Sequence, residues 1–115
     1  MFIKQLKAKI HRVRVTKVDV DYEGSISIDR DLIEAAGLKP FEAVCIWNVT
    51  NGARLETYVI EAPAGSGEIG LNGAAARLAL TGDIIIIAAF CWLHEDEKRE
   101  PVVVLVDEAN KVKKP

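Results

Sequence analysis

The sequence has few of the residues on which most catalytic sites depend. It contains two cysteines and two histidines in 115 residues, and 6% of its residues are aromatic. The run His94-Glu95-Asp96-Glu97 lacks the second histidine of a zincin helix, so no metal site is predicted. Cys45 and Cys91 lie in apolar runs and are expected to be free thiols in a reducing compartment. There is no P-loop or dinucleotide glycine fingerprint, and a Ser/His/Asp triad cannot be argued from spacing alone.

Long hydrophobic runs and a strong net charge are also missing. The longest apolar run, 84–93, is too short to span a bilayer, and charges follow directly after Phe2-Ile3, unlike in a secretory signal. We therefore predict a cytoplasmic protein with no membrane partner. The net charge of −2 gives no general attraction to nucleic acid, so no nucleic-acid partner is predicted. A basic cluster near the N-terminus is expected to be mostly a solvated strand face: Lys4, Lys7, Lys9, Arg12, Arg14 and Lys17.

The residues that are present indicate one mainly β domain over 1–115. Two β-rich runs, 44–50 and 53–60, flank Asn51-Gly52, which predicts a tight hairpin with positive φ at both turn positions. The other predicted elements are a strand over 8–20 that bends near Thr16, an extended stretch over 26–28, a helix capped by Asp29 and ended by Gly37, a loop over 63–68, a helical turn from Asn72 to near Leu80, and strands over 84–92 and 102–106. Residues 94–100 are expected to form a charged surface segment and 107–115 a flexible tail. About six strands and two short helices are typical of a small β-barrel.

The dipeptide Gly24-Ser25 lies between two β-type stretches and permits an unusual chemistry. A serine hydroxyl can attack the carbonyl carbon of the residue before it and convert the peptide bond into an ester. Glycine favours this attack because it adopts strained backbone angles at little cost and leaves the carbonyl uncovered. Elimination across Cα–Cβ of Ser25 would then break the chain and leave dehydroalanine, which hydrolyses to a pyruvoyl group. Taken alone, a Gly-Ser dipeptide is far more often a simple turn.

Several separated segments, in the same order, resemble the aspartate 1-decarboxylase family over roughly residues 4–93. Ala8 departs from the family pattern, because a glycine is common there in relatives. The matching segments are Lys9-Ile10-His11-Arg12 with Val15-Thr16, Tyr22-Glu23-Gly24-Ser25, Ile46-Trp47-Asn48-Val49-Thr50-Asn51-Gly52, Arg54, Thr57-Tyr58, Asn72-Gly73-Ala74-Ala75-Ala76, and Gly82-Asp83. Ordered matches of this kind are much more specific than any one motif.

The resemblance implies a double-psi β-barrel that cuts itself into a β chain, 1–24, and an α chain, 25–115. Ser25 would become the pyruvoyl cofactor, whose keto group forms a Schiff base with the substrate amine and acts as an electron sink. The implied reaction converts L-aspartate into β-alanine and carbon dioxide for pantothenate biosynthesis. The family also implies a homotetramer with sites near subunit boundaries, and the sequence leaves open whether an accessory maturation protein is needed.

The resemblance also assigns roles to individual side chains. Tyr58 matches the proton donor, and a phenol is protonated at neutral pH. Arg54 matches the carboxylate-binding residue, since a guanidinium can bind both oxygens. The two residues are four apart on one strand, so they share a face but stand roughly 13 Å apart at Cα. Thr57 matches a residue that supports self-processing and lines the substrate site, and Lys9 is a candidate second positive group.

Asn72 is predicted to cap a short helix, and the amides of Gly73, Ala74 and Ala75 are then uncommitted donors for a carboxylate. The structural alternative is an ordinary cap over a small helix. Equally ordinary alternatives apply elsewhere in the predicted site. They are a half-buried strand tyrosine at 58, a solvated hairpin arginine at 54, a packed structural histidine at 11 and a strand-end aromatic at Tyr22.

Two rival functions fit parts of the sequence. A DNA-binding β-barrel of the swapped-hairpin type would use the basic N-terminal stretch against phosphates, but the acidic balance of the whole chain argues against it. Such a protein would remain one intact chain and bind DNA in a salt-dependent way. A purely structural interaction module is supported only by the charged segment 94–100.

Overall fold

The computed structural model describes residues 1–113 and consists mainly of β-strands, which account for 50% of the chain against 12% for helices. The mainly β class is as predicted, but residues 1–113 contain eight strands rather than about six. The elements, in chain order, are β1 Phe2–Arg14, β2 Lys17–Asp19, β3 Ser25–Asp29, α1 Arg30–Ala36, β4 Ala43–Asn48, β5 Arg54–Ala62, β6 Ile69–Asn72, a 3₁₀ helix Gly73–Leu78, β7 Ile84–His94 and β8 Val102–Leu105.

The strands form one mixed sheet in the order β2-β6-β3-β5-β4-β7-β1-β8. Three of the pairings are parallel: β1 with β8, β2 with β6, and β3 with β5. The other four are antiparallel: β1 with β7, β3 with β6, and β4 with both β5 and β7. Strand β3 therefore lies between β5 and β6, and residues from three distant segments meet beside it.

The hydrophobic core is built from the inward side of each strand. In β1 the buried positions alternate with more exposed ones, as expected for a strand with one face on the core. All five residues of β3 and all four of β6 are buried, so both faces of these strands are covered. The largest fully buried side chains are those of Ile10, Ile26, Ile28, Leu32, Ile46, Ile69, Leu71, Ile85 and Ile87.

The first long strand begins earlier than predicted, at Phe2, and it ends at Arg14, before the predicted bend at Thr16. The break at Thr16 has a clear cause. Its backbone N–H donates to Ile69 O at 2.8 Å, and its hydroxyl accepts from Ile69 N at 2.9 Å. The chain therefore turns from its partner β7 towards β6. A second irregularity lies between Ile10 and Val13, where Arg12 has a φ of 63°.

The hairpin between β4 and β5 is confirmed, but the predicted two-residue turn is wrong. Gly52 has a φ of 81°, whereas Asn51 is not among the residues with positive φ. Gly52 N donates to Asn48 O and Asn48 N donates to Ala53 O, each at 2.8 Å, which closes a longer loop. The Asn48 side chain accounts for this loop, because its Oδ1 accepts the N–H groups of Thr50 and Asn51.

The ends of helix α1 are as predicted. The Asp29 carboxylate accepts the N–H of Asp31 at 2.8 Å, and Gly37 ends the helix with a φ of 71°. Asp29 also accepts N–H groups of Gly65 and Gly67 at 3.0 and 2.8 Å, so it fixes the 63–68 loop as well as the helix.

The C-terminal residues that the structure describes pack against the barrel. The Asn110 side chain is buried and donates to Arg14 O and Gly67 O, each at 2.9 Å. Val106 and Val112 form an isolated antiparallel bridge. The flexibility predicted for 107–115 stays a prediction, and its last two residues lie outside the described part of the chain.

Candidate active site

Ser25 begins β3 and is the residue around which the candidate site is organised. Only 1% of its surface is exposed. It pairs with Asn72 of β6 on one side. On the other side the parallel register of Ile26 with Val59 places Ser25 beside Tyr58, the residue before Val59 on β5. Because paired residues of neighbouring strands point to the same side, Ser25, Tyr58 and Asn72 share one face.

The Ser25 hydroxyl has two polar partners within residues 1–113. It accepts an N–H from Asn72 Nδ2 at 2.9 Å and donates to Glu23 O at 3.4 Å. The second contact directs the hydroxyl back past Gly24 to the carbonyl of Glu23. The prediction that Asn72 caps the following helix by its side chain is wrong, because its carboxamide turns towards β3 instead.

Gly73 brings a second backbone segment against the same junction. It has a φ of 67°, and a Cβ at this position would lie 2.8 Å from Gly24 Cα and 3.0 Å from Tyr22 O. Any other residue would therefore be both strained and in collision with the junction. The helix that follows is a 3₁₀ helix, with Ala75 buried and Ala74 exposed. Of the predicted Asn72 to Ala75 segment, Asn72 and Gly73 lie against Gly24-Ser25.

Thr57 and Tyr58 alternate across β5 as predicted. Tyr58 is 37% exposed and its ring lies 6.3 Å from that of Phe41, measured between centroids. Thr57 is half-buried and points to the opposite side. Val59, the next residue, pairs with Ile26 and fixes the position of both relative to the Gly24-Ser25 junction.

Arg54 and Lys9 are not brought to Ser25 within one chain. The Arg54 guanidinium lies 4.7 Å from the centre of the Trp47 ring, on the exposed side of the sheet. Its Cα is about 13 Å along β5 from that of Tyr58. Lys9 is half-buried on β1, three strands away from β5 in the sheet. The predicted cationic groups therefore do not form a single-chain pocket with Ser25.

His11 occupies a different environment from the other predicted residues. Its Nδ1 is buried and has no hydrogen-bond partner within residues 1–113. Burial lowers the pKa of His11, and the nearby charges of Lys9 and Arg12 lower it further. The side chain lines an open cavity of about 410 Å³ together with Arg12, Arg14 and Lys113. This cavity is formed by β1, β8 and the C-terminal turn, away from β3.

Residues 1–113 contain neither a metal-binding cluster nor a membrane-spanning helix. Among residues 1–113, no set of three or more His, Cys, Asp or Glu side chains is arranged to hold a metal ion. None of the helices in this part of the chain is long and apolar enough to cross a membrane.

Sequence reasoning missed one polar residue of the site, Ser27. Its hydroxyl accepts from Asn72 Nδ2 at 3.1 Å, and the residue is 5% exposed. It also missed strand β6, which carries Asn72. The alternation of Ile69 and Leu71 with Gly70 and Asn72 was the signal that could have identified this strand.

The fold belongs to the double-psi β-barrels. The rationally designed protein mkDPBB_sym_86, a double-psi β-barrel whose crystal structure is known, has a TM-score of 0.50 with this chain, covering 69% of it and 91% of the design at 15% identity. A family model described as aspartate decarboxylase matches residues 1–113. This chain is 54% identical to proteins named aspartate 1-decarboxylase from Hyphomonas neptunium and Caulobacter vibrioides. Each alignment covers 99% of this chain and 98% of the relative. The chain therefore belongs to the aspartate decarboxylase family, whose members are carboxy-lyases.

Proposed function

We propose that this chain cuts itself between Gly24 and Ser25, carries a pyruvoyl group at residue 25, and decarboxylates L-aspartate to β-alanine for pantothenate biosynthesis. The main structural support is Ser25, a nearly inaccessible serine directly after a glycine, flanked by Tyr58 and Asn72 from two other strands. Full-length similarity to proteins named aspartate 1-decarboxylase supports the substrate.

The self-cleavage follows from the bonds at the junction. Ser25 Oγ attacks the Gly24 carbonyl carbon, the C–N bond breaks, and the hydroxyl proton ends on the Ser25 nitrogen. The resulting ester loses the Cα proton of Ser25 and its Cβ–Oγ bond, which releases Gly24 as a carboxylate. Water then replaces the nitrogen of the dehydroalanine, and ammonia leaves. The contact of the Ser25 hydroxyl with Glu23 O supports the attack, because it holds Oγ back over the segment that carries the Gly24 carbonyl.

The residues around position 25 fit a small planar keto group. Gly73 leaves space where any side chain would strike Gly24, and Asn72 offers N–H groups to an oxygen at position 25. A pyruvoyl group supplies the electron sink that decarboxylation needs. Tyr58, beside it on β5, is the group that donates the proton to the former α-carbon. Thr57 is assigned to self-processing and to the wall of the site.

Substrate binding is assigned to cations and amides around this junction. Arg54 binds a carboxylate of aspartate by two parallel hydrogen bonds, and Lys9 adds a second positive charge. The amides of Gly73, Ala74 and Ala75 are assigned to the substrate carboxylate, and Gly73 lies against Gly24. The preference for aspartate therefore depends on positive charge placed opposite the second carboxylate of the substrate.

The active form is a cytoplasmic homotetramer in which neighbouring subunits complete each site. The separation of Arg54 from Tyr58 along β5 supports this, because one arginine side chain does not span it. Large apolar side chains exposed on the single chain also support assembly, since monomers rarely leave many of them uncovered. After Met1, the most exposed are Phe41, Leu80, Trp92 and Phe2, at 76%, 71%, 68% and 65%.

Intact-mass spectrometry of the purified protein tests the proposal. We expect two fragments, 1–24 and 25–115, and the second should carry a keto group in place of a free amine. Ser25→Ala should remain a single inactive chain. Ser66→Ala is the matched control, because Ser66 lies in the exposed 63–68 loop, and it should be cut normally. Active wild-type protein that remains uncut, with a free serine at 25, would overturn the proposal.

A further inference from the structure

The Asn72 carboxamide joins two serine hydroxyls of the same strand. Its Nδ2 donates to Ser25 Oγ at 2.9 Å and to Ser27 Oγ at 3.1 Å. All three residues are nearly inaccessible, with exposures of 3% for Asn72, 1% for Ser25 and 5% for Ser27. A carboxamide nitrogen has two N–H groups, so each serine accepts one of them.

The strand register accounts for this arrangement. Ser25 and Ser27 are two residues apart on β3 and therefore point to the same side. Asn72 is opposite Ser25 and diagonal to Ser27, whose own partner across the strands is Gly70. Gly70 has no side chain, and the Lys17 side chain packs against it instead, with Cε 3.0 Å from where a Cβ would lie. A Cβ at Gly70 would lie 3.5 Å from Ser27 Cβ.

We propose that Ser27 is a positioning residue for self-cleavage, because it holds the Asn72 carboxamide in the orientation that keeps an N–H on Ser25 Oγ. This inference rests on the proposed function. The terminal torsion of an asparagine is soft, so one hydrogen bond fixes its plane poorly and two fix it well. With Asn72 donating, the Ser25 proton points towards Glu23 O and a lone pair remains for attack on Gly24.

A time course of Gly24–Ser25 cleavage after a short induction, followed by intact mass, tests this role. Ser27→Ala should be cut about fivefold more slowly than wild type, the equivalent of about 1 kcal/mol of barrier. Ser27→Thr should be cut at the wild-type rate, because threonine keeps the hydroxyl and suits a strand. Ser66→Ala should have no effect on the rate.

A double-mutant cycle separates positioning from a merely structural role. If Ser27 acts through Asn72, then Ser27→Ala should slow cleavage little further in an Asn72→Ala background. An equal slowing in both backgrounds, or a wild-type rate for Ser27→Ala alone, would overturn the inference. Both of these outcomes would leave the proposed cleavage of the wild-type chain intact. Failure of the wild-type chain to cleave would instead reject the proposed function itself.

Folding defects are controlled by a second pair of variants. Threonine and valine at position 27 have the same shape and differ by a hydroxyl, so Ser27→Thr and Ser27→Val compare the hydrogen bond alone. We expect Ser27→Val to be cut about fivefold more slowly than Ser27→Thr, a difference of about 1 kcal/mol. Equal cleavage rates in this pair would also overturn the inference.

Discussion

At the scale of single residues, the candidate site depends on polar contacts made by a few side chains at the start of β3. Ser25 is held by Asn72 and by the carbonyl of Glu23, and Tyr58 is its neighbour on β5. Ser25 and Tyr58 were assigned from the resemblance, and the register makes them neighbours. The contact between Asn72 and Ser25 was not predicted, because a side chain after a strand can turn either to its own helix or to the next strand.

Tyr58→Phe separates the two reactions proposed for the site. The self-cleavage uses the Ser25 hydroxyl, so the variant should still yield fragments 1–24 and 25–115. Decarboxylation should fall by about 100-fold to 10,000-fold in kcat, because the proton donor is lost while the ring stays. Steady-state turnover of aspartate on fully cleaved protein measures this effect. Normal turnover by the variant would reject Tyr58 as the acid.

At the scale of elements, Asp29 connects β3, helix α1 and the 63–68 loop. Burial alone would raise the pKa of Asp29, but N–H groups of Gly67, Asp31 and Gly65, together with Lys111, more than offset burial and hold the pKa below its ordinary value. The local part of this arrangement, the helix cap, was predicted from the sequence. The contact with the loop was not, because it joins residues more than thirty positions apart.

Asp29→Asn tests this connection through pH. A carboxylate with a lowered folded pKa stabilises the fold above its unfolded pKa, near 4, and this stabilisation is lost as the pH falls through the folded value. At neutral pH the variant should be less stable by about 1 to 3 kcal/mol, because an amide nitrogen would face the Gly67 N–H. Its Tm should also fall less than that of the parent when the pH is lowered below about 4.

The measurement is thermal unfolding in a Ser25→Ala background, in which the chain stays intact. Asp21→Asn is the control, because Asp21 lies in the exposed turn before Gly24. It should keep the parent dependence on pH. Asp83 and Asp107 also have lowered pKa values, Asp83 first through its hydrogen bond from Asn48 and Asp107 first through the N–H of Lys111, so part of the acid sensitivity should remain. An unchanged pH dependence in Asp29→Asn would contradict the prediction.

At the scale of the whole molecule, the positions of Arg54 and Tyr58 on one strand support the proposal that two subunits complete each site. Their Cα atoms are about 13 Å apart, and the Arg54 guanidinium lies over Trp47 rather than towards Ser25. The sequence predicted the shared face and the separation. It did not predict the packing of Arg54 on Trp47, which depends on the pairing of β4 with β5.

Co-expression of Arg54→Ala with Tyr58→Phe tests whether a site uses residues of two subunits. Each variant alone should have little activity, Arg54→Ala mainly through a raised KM. In randomly mixed assemblies, about one site in four would combine an intact Tyr58 with an intact Arg54 from the neighbour. Turnover should therefore rise towards a quarter of the wild-type value. The control is a mixture of the two variants, purified separately so that their subunits do not exchange. If the co-expressed protein is no more active than this mixture, both residues act within one subunit.

The local features of this protein follow from its amino-acid sequence alone. These are the cap at Asp29, the end of the helix at Gly37 and the shared face of Arg54 and Tyr58, because each depends on residues within a few positions. Tertiary structure decided that Asn72 turns to Ser25 and Ser27, that Gly73 lies against Gly24, and that Tyr58 stands beside Ser25. Those contacts depend on β3 pairing with both β5 and β6, and such long-range pairing is fixed by the packing of the whole core rather than by neighbours in the chain.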